Sequence, residues 1–171
     1  SFILKCRLGL SRLGLFGMSF GGMTSFGNCV KDSRCKAGLN MDGFMAIQAD
    51  LPAVKSPFMF MTAEGMEMHN SMFEKSQDDV YLVTIDGTEH LDYSDFSIIS
   101  PFFKMLGALG PIDGYKMLTI TEDYVRAFFD KHLKGKEPSL LSQTTNKYAE
   151  VKFKTKVKST SADRMGAGAA A

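Results

Sequence analysis

Short runs of apolar residues recur along the first half of the chain, separated by longer mixed segments. A strand that is buried on both faces is apolar throughout, so each run is typical of a strand in a parallel sheet. The intervening segments are long enough for helices, and this β-α-β-α order favours an α/β fold: a mostly parallel sheet with helices on both faces. The predicted strands are residues 13–18, 37–41, 57–62 and 80–85.

The second half of the chain has helical periodicity. Apolar residues predict a helix over residues 96–106, with a break at Pro101 because proline cannot donate a backbone hydrogen bond. A longer apolar stripe predicts a helix over residues 120–133, opened by a capping box formed by Thr119 and Glu122. Both helices follow the last apolar run, so we expect them to complete the layers that cover the sheet.

Length and composition indicate one globular domain. The chain has 171 residues, of which 44% are hydrophobic and 23% are charged. We expect a single domain over residues 1–158, whose last segment, 148–158, alternates apolar residues with lysines as an edge strand does. Residues 159–171 are small and polar, so we expect a disordered tail. No run of 18 apolar residues occurs, which argues against a membrane span. We expect a soluble protein, with the cytoplasm slightly favoured.

Charge and cysteine content exclude further classes. The formal net charge is +1, so nothing in the total indicates a nucleic-acid partner. Cys6, Cys29 and Cys35 form an odd, sparse set that is not typical of a disulfide framework, although a bridge between the last two is left open. No cysteine and histidine cluster has zinc-site spacing, so we expect no metal.

One motif in the sequence carries nucleophilic chemistry. Gly17-Met18-Ser19-Phe20-Gly21 is a G-x-S-x-G sequence that directly follows a predicted strand and precedes a predicted helix. A sharp turn there lifts the serine hydroxyl out of the sheet, and we expect both glycines to leave room where a Cβ would clash. The helix N-terminus supplies positive potential, and the Phe20 backbone N–H is the predicted oxyanion donor.

A serine nucleophile needs a base and an acid. His90 follows the last predicted strand, which suits the Ser, acid, His order, whereas His69 and His132 lie in predicted helices. Asp42 and Glu64 each end a predicted strand after the serine, and spacing alone leaves the choice between them open.

The order of several motifs resembles a known family. The chain is similar to the platelet-activating-factor acetylhydrolases and their bacterial esterase and lipase relatives, within the dienelactone-hydrolase-like α/β hydrolases. The resemblance runs from about residue 13 to about residue 135. It rests on the sequences SFGG, KAGLNMDGF, PFMFM and GTEHLDYSDF, in that order.

The resemblance implies a Ser19, Asp42 and His90 triad that works without a cofactor. Family members often carry histidine where this chain has Met18, a position outside the triad. Only 18 residues precede Ser19, where a full α/β hydrolase has several strands and helices. We therefore expect a truncated α/β-hydrolase fold that lacks the segment supplying the second oxyanion donor.

These observations predict a serine carboxylester hydrolase that acts on a small-molecule or lipid-like ester through an acyl-enzyme. An oligomerising interaction module of low activity, and an acyltransferase with the same triad, are the alternatives. We expect a homo-oligomer, most simply a dimer over the edge of the first strand, unless residues 1–8 pair there. Side chains near predicted strand ends are candidates for an acyl pocket or for core packing: Met18, Met41, Phe44, Met45 and Met66.

Overall fold

The apolar runs form the centre of a five-stranded sheet in a computed structural model of the chain. The structure describes residues 9–44, 52–64, 67–142 and 147–158. The strand order is β1-β2-β3-β4-β5, in which β1 to β4 are parallel and β5 is antiparallel to β4. The strands are β1 (Leu13–Met18), β2 (Cys35–Met41), β3 (Phe58–Ala63), β4 (Val80–Ile85) and β5 (Val151–Lys156).

Helices connect the strands and follow them. They are α1 (Phe20–Lys31), α2 (Glu67–Lys75), α3 (Phe96–Ile99), α4 (Pro101–Met105) and α5 (Gly114–Lys134). Single 3₁₀ turns lie at His90–Tyr93 and Ser139–Leu141. The predicted break at Pro101 is confirmed, because α3 ends at Ile99 and α4 begins with the proline.

The start of the long helix was predicted wrongly. The helix begins at Gly114, where the Asp113 side chain accepts a hydrogen bond from the Lys116 N–H. Thr119 lies inside α5, and its hydroxyl donates to the Tyr115 carbonyl rather than capping the helix. The C-terminal end agrees with the prediction, since Gly135 adopts a left-handed conformation there.

Two hydrophobic layers hold the sheet. On one face, β2, β3 and β4 pack against α5, around the fully buried Tyr81, Tyr124 and Phe128. On the other face, Phe58 and Phe60 pack against residues of α1 and α2. The prediction of helices on both faces is therefore confirmed, and the central strands are buried on both sides as their sequences indicate.

The two edges of the sheet differ in chemistry. The β5 edge carries lysines, as predicted, and Lys152 pairs with Glu64 and Asp86. The β1 edge has a strand partner on one side only within the described residues, and its Phe16 side chain is 60% exposed. Residues 1–8 and the predicted tail lie outside the described residues.

A disulfide joins Cys29, near the end of α1, to Cys35 at the start of β2. The sequence left this pairing open, and both sulfur-bearing side chains are buried against Phe58 and its neighbours. The bridge lies at the end of α1 opposite to Ser19, so it fixes the helix against the sheet without reaching the candidate site.

Candidate active site

Ser19 lies at a strained turn between β1 and α1. Its backbone has φ 56° and ψ −122°, in the region that L-residues rarely adopt. Such a conformation costs on the order of 1–3 kcal/mol and persists only where the surroundings hold it. Here the Ser19 N–H donates to the Met41 carbonyl at 2.9 Å, and the Ser19 carbonyl accepts from the Met23 N–H at 3.1 Å. The turn is thus anchored to both β2 and α1.

Close packing at this turn depends on two glycines, which are not the pair that the motif predicts. A Cβ on Gly17 would lie 2.5 Å from the Gly21 carbonyl carbon, so Gly17 is required, as expected. A Cβ on Gly21 would have nothing within 4 Å, so the expectation for that residue is wrong. Gly22 is the second tight position, since its Cβ would lie 2.1 Å from Asn40 Oδ1.

Asp42 follows β2 and is 2% exposed. Its φ is 49°, so it is the second left-handed non-glycine residue among those the structure describes. One carboxylate oxygen, Oδ1, accepts from the Ala63 N–H at 3.2 Å and lies 3.2 Å from the Thr62 hydroxyl. The end of β3 therefore orients the carboxylate and leaves Oδ2 to face His90.

His90 joins the serine and the carboxylate. Its Nδ1 lies 2.7 Å from Asp42 Oδ2, and its Nε2 lies 2.9 Å from Ser19 Oγ. A carboxylate only accepts, so Nδ1 carries the proton and Nε2 is left to accept the serine proton. The arrangement is that of a nucleophile, a base and an orienting acid. The imidazole is 46% exposed, so a substrate can reach it.

The loop that carries His90 is held by a buried carboxylate. Asp92 Oδ2 accepts hydrogen bonds from the backbone N–H groups of Glu89 and Gly110, both at 2.7 Å. The Thr88 hydroxyl donates to the Ile85 carbonyl at 2.7 Å, which ties the loop to the end of β4. These bonds fix the base on both sides, although His90 itself is exposed.

The start of α1 suits an oxyanion. Phe20 is the first residue of the helix, and the N–H groups of a first helical turn have no partner within the helix. The positive end of the helix dipole lies beside Ser19 Oγ for the same reason.

Comparison with known proteins identifies the chain's relatives. A model of the family described as platelet-activating factor acetylhydrolase, isoform II, matches residues 2–148. The chain belongs to this family. It is 29% identical over 143 residues to a platelet-activating factor acetylhydrolase from Gallus gallus, covering 76% of this chain and 33% of that protein. It is also 29% identical over 168 residues to a probable 1-alkyl-2-acetylglycerophosphocholine esterase from Arthroderma benhamiae, covering 84% and 43%.

A solved structure resembles the fold of this acetylhydrolase-family chain. A ferulic acid esterase from Streptomyces cinnamoneus superposes with a TM-score of 0.71 at 22% identity, over 85% of this chain and 47% of that one. The likeness confirms the predicted α/β-hydrolase fold class. The chain spans between a third and a half of the length of the two curated relatives and of this structure.

The other candidate bases and acid of this acetylhydrolase-family member lie away from Ser19 Oγ. His132 lies in α5, where its Nε2 is 3.2 Å from the Tyr81 hydroxyl and burial lowers its pKa. His69 is buried in α2, and its Nε2 donates to the Gly43 carbonyl at 3.0 Å. Glu64 is exposed and pairs with Lys152 on β5.

Three of the side chains predicted as a candidate acyl pocket are among the described residues, and they are divided between the core and the surface. Met41 is buried in the core, and Met18 packs against the same core, which is the alternative that the sequence left open. Phe44 is exposed beside the Asp42 turn. Met45 and Met66 lie outside the described residues. Two exposed aromatic side chains lie close in sequence to the candidate triad: Phe20 follows Ser19, and Phe44 is two residues after Asp42.

Three buried polar residues near the candidate triad were not predicted as site residues. Asn40, Thr62 and Asp92 are buried polar residues around Asp42 and His90. An asparagine and a threonine within otherwise apolar strands are a usable signal, because a buried polar group must be hydrogen-bonded. In the part of the chain that the structure describes, no group of three His, Cys, Asp or Glu could hold a metal ion, and no helix could span a membrane.

Proposed function

We propose that the chain is a serine carboxylester hydrolase in which Ser19 is the nucleophile, His90 the general base and Asp42 the acid that orients it. The observation that carries this proposal is the single imidazole bonded to both Asp42 Oδ2 at 2.7 Å and Ser19 Oγ at 2.9 Å. Membership in the acetylhydrolase family and esterase relatives support the same reaction.

Acylation begins when Ser19 Oγ attacks the ester carbonyl and its proton passes to His90 Nε2. The buried Asp42 carboxylate stabilises the imidazolium that forms. The carbonyl oxygen becomes an oxyanion, which the Phe20 N–H and the α1 dipole stabilise. The tetrahedral intermediate collapses, the bond to the alcohol oxygen breaks, and Nε2 returns its proton to the leaving alcohol.

Deacylation repeats these steps with water. His90 takes a proton from a water molecule, whose oxygen attacks the acyl carbonyl, and Ser19 Oγ leaves with the proton that Nε2 returns. The exposed imidazole and the adjacent Phe20 and Phe44 side chains favour a substrate that approaches from the surface and carries an apolar part. The name of the Arthroderma benhamiae relative points to a lipid-like acetyl ester as the first natural substrate to test.

Hydrolysis of p-nitrophenyl acetate tests the proposal. We expect Ser19→Ala and His90→Ala to lose nearly all turnover without unfolding, because each removes a member of the bonded set. Ser33→Ala is the matched control, since Ser33 is exposed in the turn before β2. Wild-type turnover by folded Ser19→Ala would overturn the mechanism. Partition of the acyl group between water and an added alcohol separates a hydrolase from an acyltransferase with the same triad.

We also propose self-association over the β1 edge. Phe16 is 60% exposed there, and among the described residues β1 pairs only with β2. An unpaired, apolar strand edge favours pairing with another chain, most simply as a two-fold dimer. Light scattering at micromolar concentration should give the mass of a dimer for the wild type and of a monomer for Phe16→Lys. A monomeric wild-type protein would overturn this second proposal.

A further inference from the structure

The residue after Asp42 is held by side chains from two different elements. The Gly43 N–H donates to Asn40 Oδ1 at 2.7 Å, and the Gly43 carbonyl lies 3.3 Å from Asn40 Nδ2. The same carbonyl accepts from His69 Nε2, on α2, at 3.0 Å. Asn40 is 0% exposed and His69 is 1% exposed, so both side chains act inside the protein. Both backbone polar groups of Gly43 are therefore fixed immediately beyond Asp42.

The three hydrogen bonds that Asn40 and His69 make to Gly43 are called the clamp here. The clamp lies next to Asp42, whose backbone conformation is unfavourable. Asp42 has φ 49°, a conformation that an aspartate leaves readily for an extended one when nothing opposes the change. The position of the Asp42 side chain depends on this dihedral angle. A change in φ would therefore move Oδ2 away from His90 Nδ1, from which it lies 2.7 Å in the structure. Fixing Gly43 opposes rotation of the peptide that follows Asp42, so the clamp keeps the carboxylate aimed at the imidazole.

The clamp also contacts the nucleophile turn. A Cβ on Gly43 would lie 2.4 Å from the Ser19 carbonyl oxygen, and a Cβ on Gly22 would lie 2.1 Å from Asn40 Oδ1. The Asn40 amide therefore fills the space between the first turns of α1 and the Asp42 turn. The distance between the Ser19 turn and the Asp42 turn therefore depends on the buried Asn40 side chain.

We infer that Asn40 and His69 are positioning residues, which clamp Gly43 and thereby hold Asp42 in the conformation that orients His90 toward Ser19. This inference rests on the proposed function for its catalytic consequence. His69 is buried, bonds to the Gly43 carbonyl, and has its ring centroid 5.5 Å from that of Phe60. It therefore differs from His90, which is exposed and bonds to Ser19 Oγ.

The test compares matched variants of the full chain with a fluorophosphonate probe. We expect the rate of Ser19 labelling to fall about 10–100-fold in Asn40→Ala and in His69→Phe, because small displacements of a bonded catalytic set cost this much. His69→Gln should stay within a few-fold of wild type, since its side-chain amide can still donate to the Gly43 carbonyl. Ser25→Ala is the control, because it deletes the hydrogen bond from another buried side chain, Ser25 on α1, to the Leu15 carbonyl on β1, a bond that does not involve Gly43.

A spectroscopic readout separates positioning from general destabilisation. The hydrogen bond between His90 Nδ1 and Asp42 should give a low-field proton resonance, assigned by its loss in Asp42→Asn. We expect the resonance to be lost in His69→Phe and kept in His69→Gln and Ser25→Ala. The two His69 variants decide the outcome if Asn40→Ala does not fold.

The outcomes distinguish the two proposals. Failure of wild-type Ser19 to react overturns the proposed function, and the resonance then still reports on the clamp. Labelling at the wild-type rate in folded His69→Phe, with the resonance unchanged, overturns the clamp and leaves the proposed function standing. Equal losses in His69→Phe and His69→Gln also overturn it, since the donor would then be irrelevant.

Discussion

The two ends of the β1-α1-β2 unit are built differently. At the Ser19 end, two non-glycine residues have positive φ, and glycines allow close backbone contacts that a Cβ would block. The side chains of Thr62 on β3 and His69 on α2 bond to the Asp42 turn. At the opposite end, the connection is closed by a disulfide between Cys29 and Cys35. An ion pair between Asp32 and Arg34 lies beside it.

The Ser19 end sets the geometry of the candidate triad, whereas the disulfide end stabilises the fold. Strain at Ser19 and Asp42 lowers the stability of the folded state but sets the distances within the candidate triad. The disulfide restricts the unfolded chain and makes no contact with those groups. Changes at the first end should therefore affect chemistry more than unfolding, and changes at the second should do the reverse.

The largest effect is expected from the acid. Asp42→Asn should lower esterase turnover about 10³–10⁴-fold, because an amide favours the wrong imidazole tautomer. Glu64→Gln is the matched control and should retain wild-type turnover, since Glu64 pairs with Lys152 on the surface. Steady-state kinetics of both folded variants measure the contrast. A crippled Glu64→Gln beside an active Asp42→Asn would assign the acid to β3.

The opposite end is tested by removing the disulfide. The double variant Cys29→Ser, Cys35→Ser should lose about 2 kcal/mol of unfolding free energy, the value expected for so short a closed loop. Its rate of Ser19 labelling, measured well below its melting temperature, should match the wild type. Urea titration gives the first quantity. A large loss of labelling with unchanged stability would show that the two ends are not separable in this way.

A smaller effect is expected at Asp123, away from both ends. Its carboxylate accepts from Lys147, the Tyr148 hydroxyl and Arg126, and these hydrogen bonds lower its pKa to about 2. A lowered pKa stabilises the fold above the ordinary aspartate pKa, and this contribution is lost as pH falls toward 2. Asp123→Asn should cost about 1 kcal/mol at neutral pH and less near pH 2.

Thermal or urea unfolding at both pH values measures the Asp123 effect, with Ser19 labelling as the control that should stay constant. An equal loss at both pH values would mean that packing of the side chain, rather than its charge, supplies the stability.

Sequence patterns predicted the strands better than the helix boundaries. β1 and β4 have the predicted bounds because both are continuous apolar runs between clear turns. The start of α5 was missed because Thr119 and Glu122 have the spacing of a capping box, although the buried Met117 already belongs to the first turn. The N-cap, Asp113, precedes the helix, and it was not recognised because a capping pair was assigned further along the chain.

The candidate triad was predicted from motif order and family resemblance. The side chains that hold its turns in place were not predicted. The contact between His69 and Gly43 joins residues 26 positions apart, and its geometry depends on how α2 packs on the sheet. Asn40 could be singled out as a polar residue within an apolar strand, but its partner could not. The disulfide was similarly undecided, because pairing of Cys29 with Cys35 depends on where α1 ends relative to β2.

Mass spectrometry after treatment with a fluorophosphonate shows whether His90 activates Ser19. The reagent forms a stable adduct with a serine that a neighbouring base activates, and peptide mapping shows which serine has reacted. We predict one adduct, on Ser19, that is absent from His90→Ala and from Ser19→Ala. No adduct on the folded wild-type chain, or an adduct on another serine that persists in His90→Ala, would overturn the proposed triad.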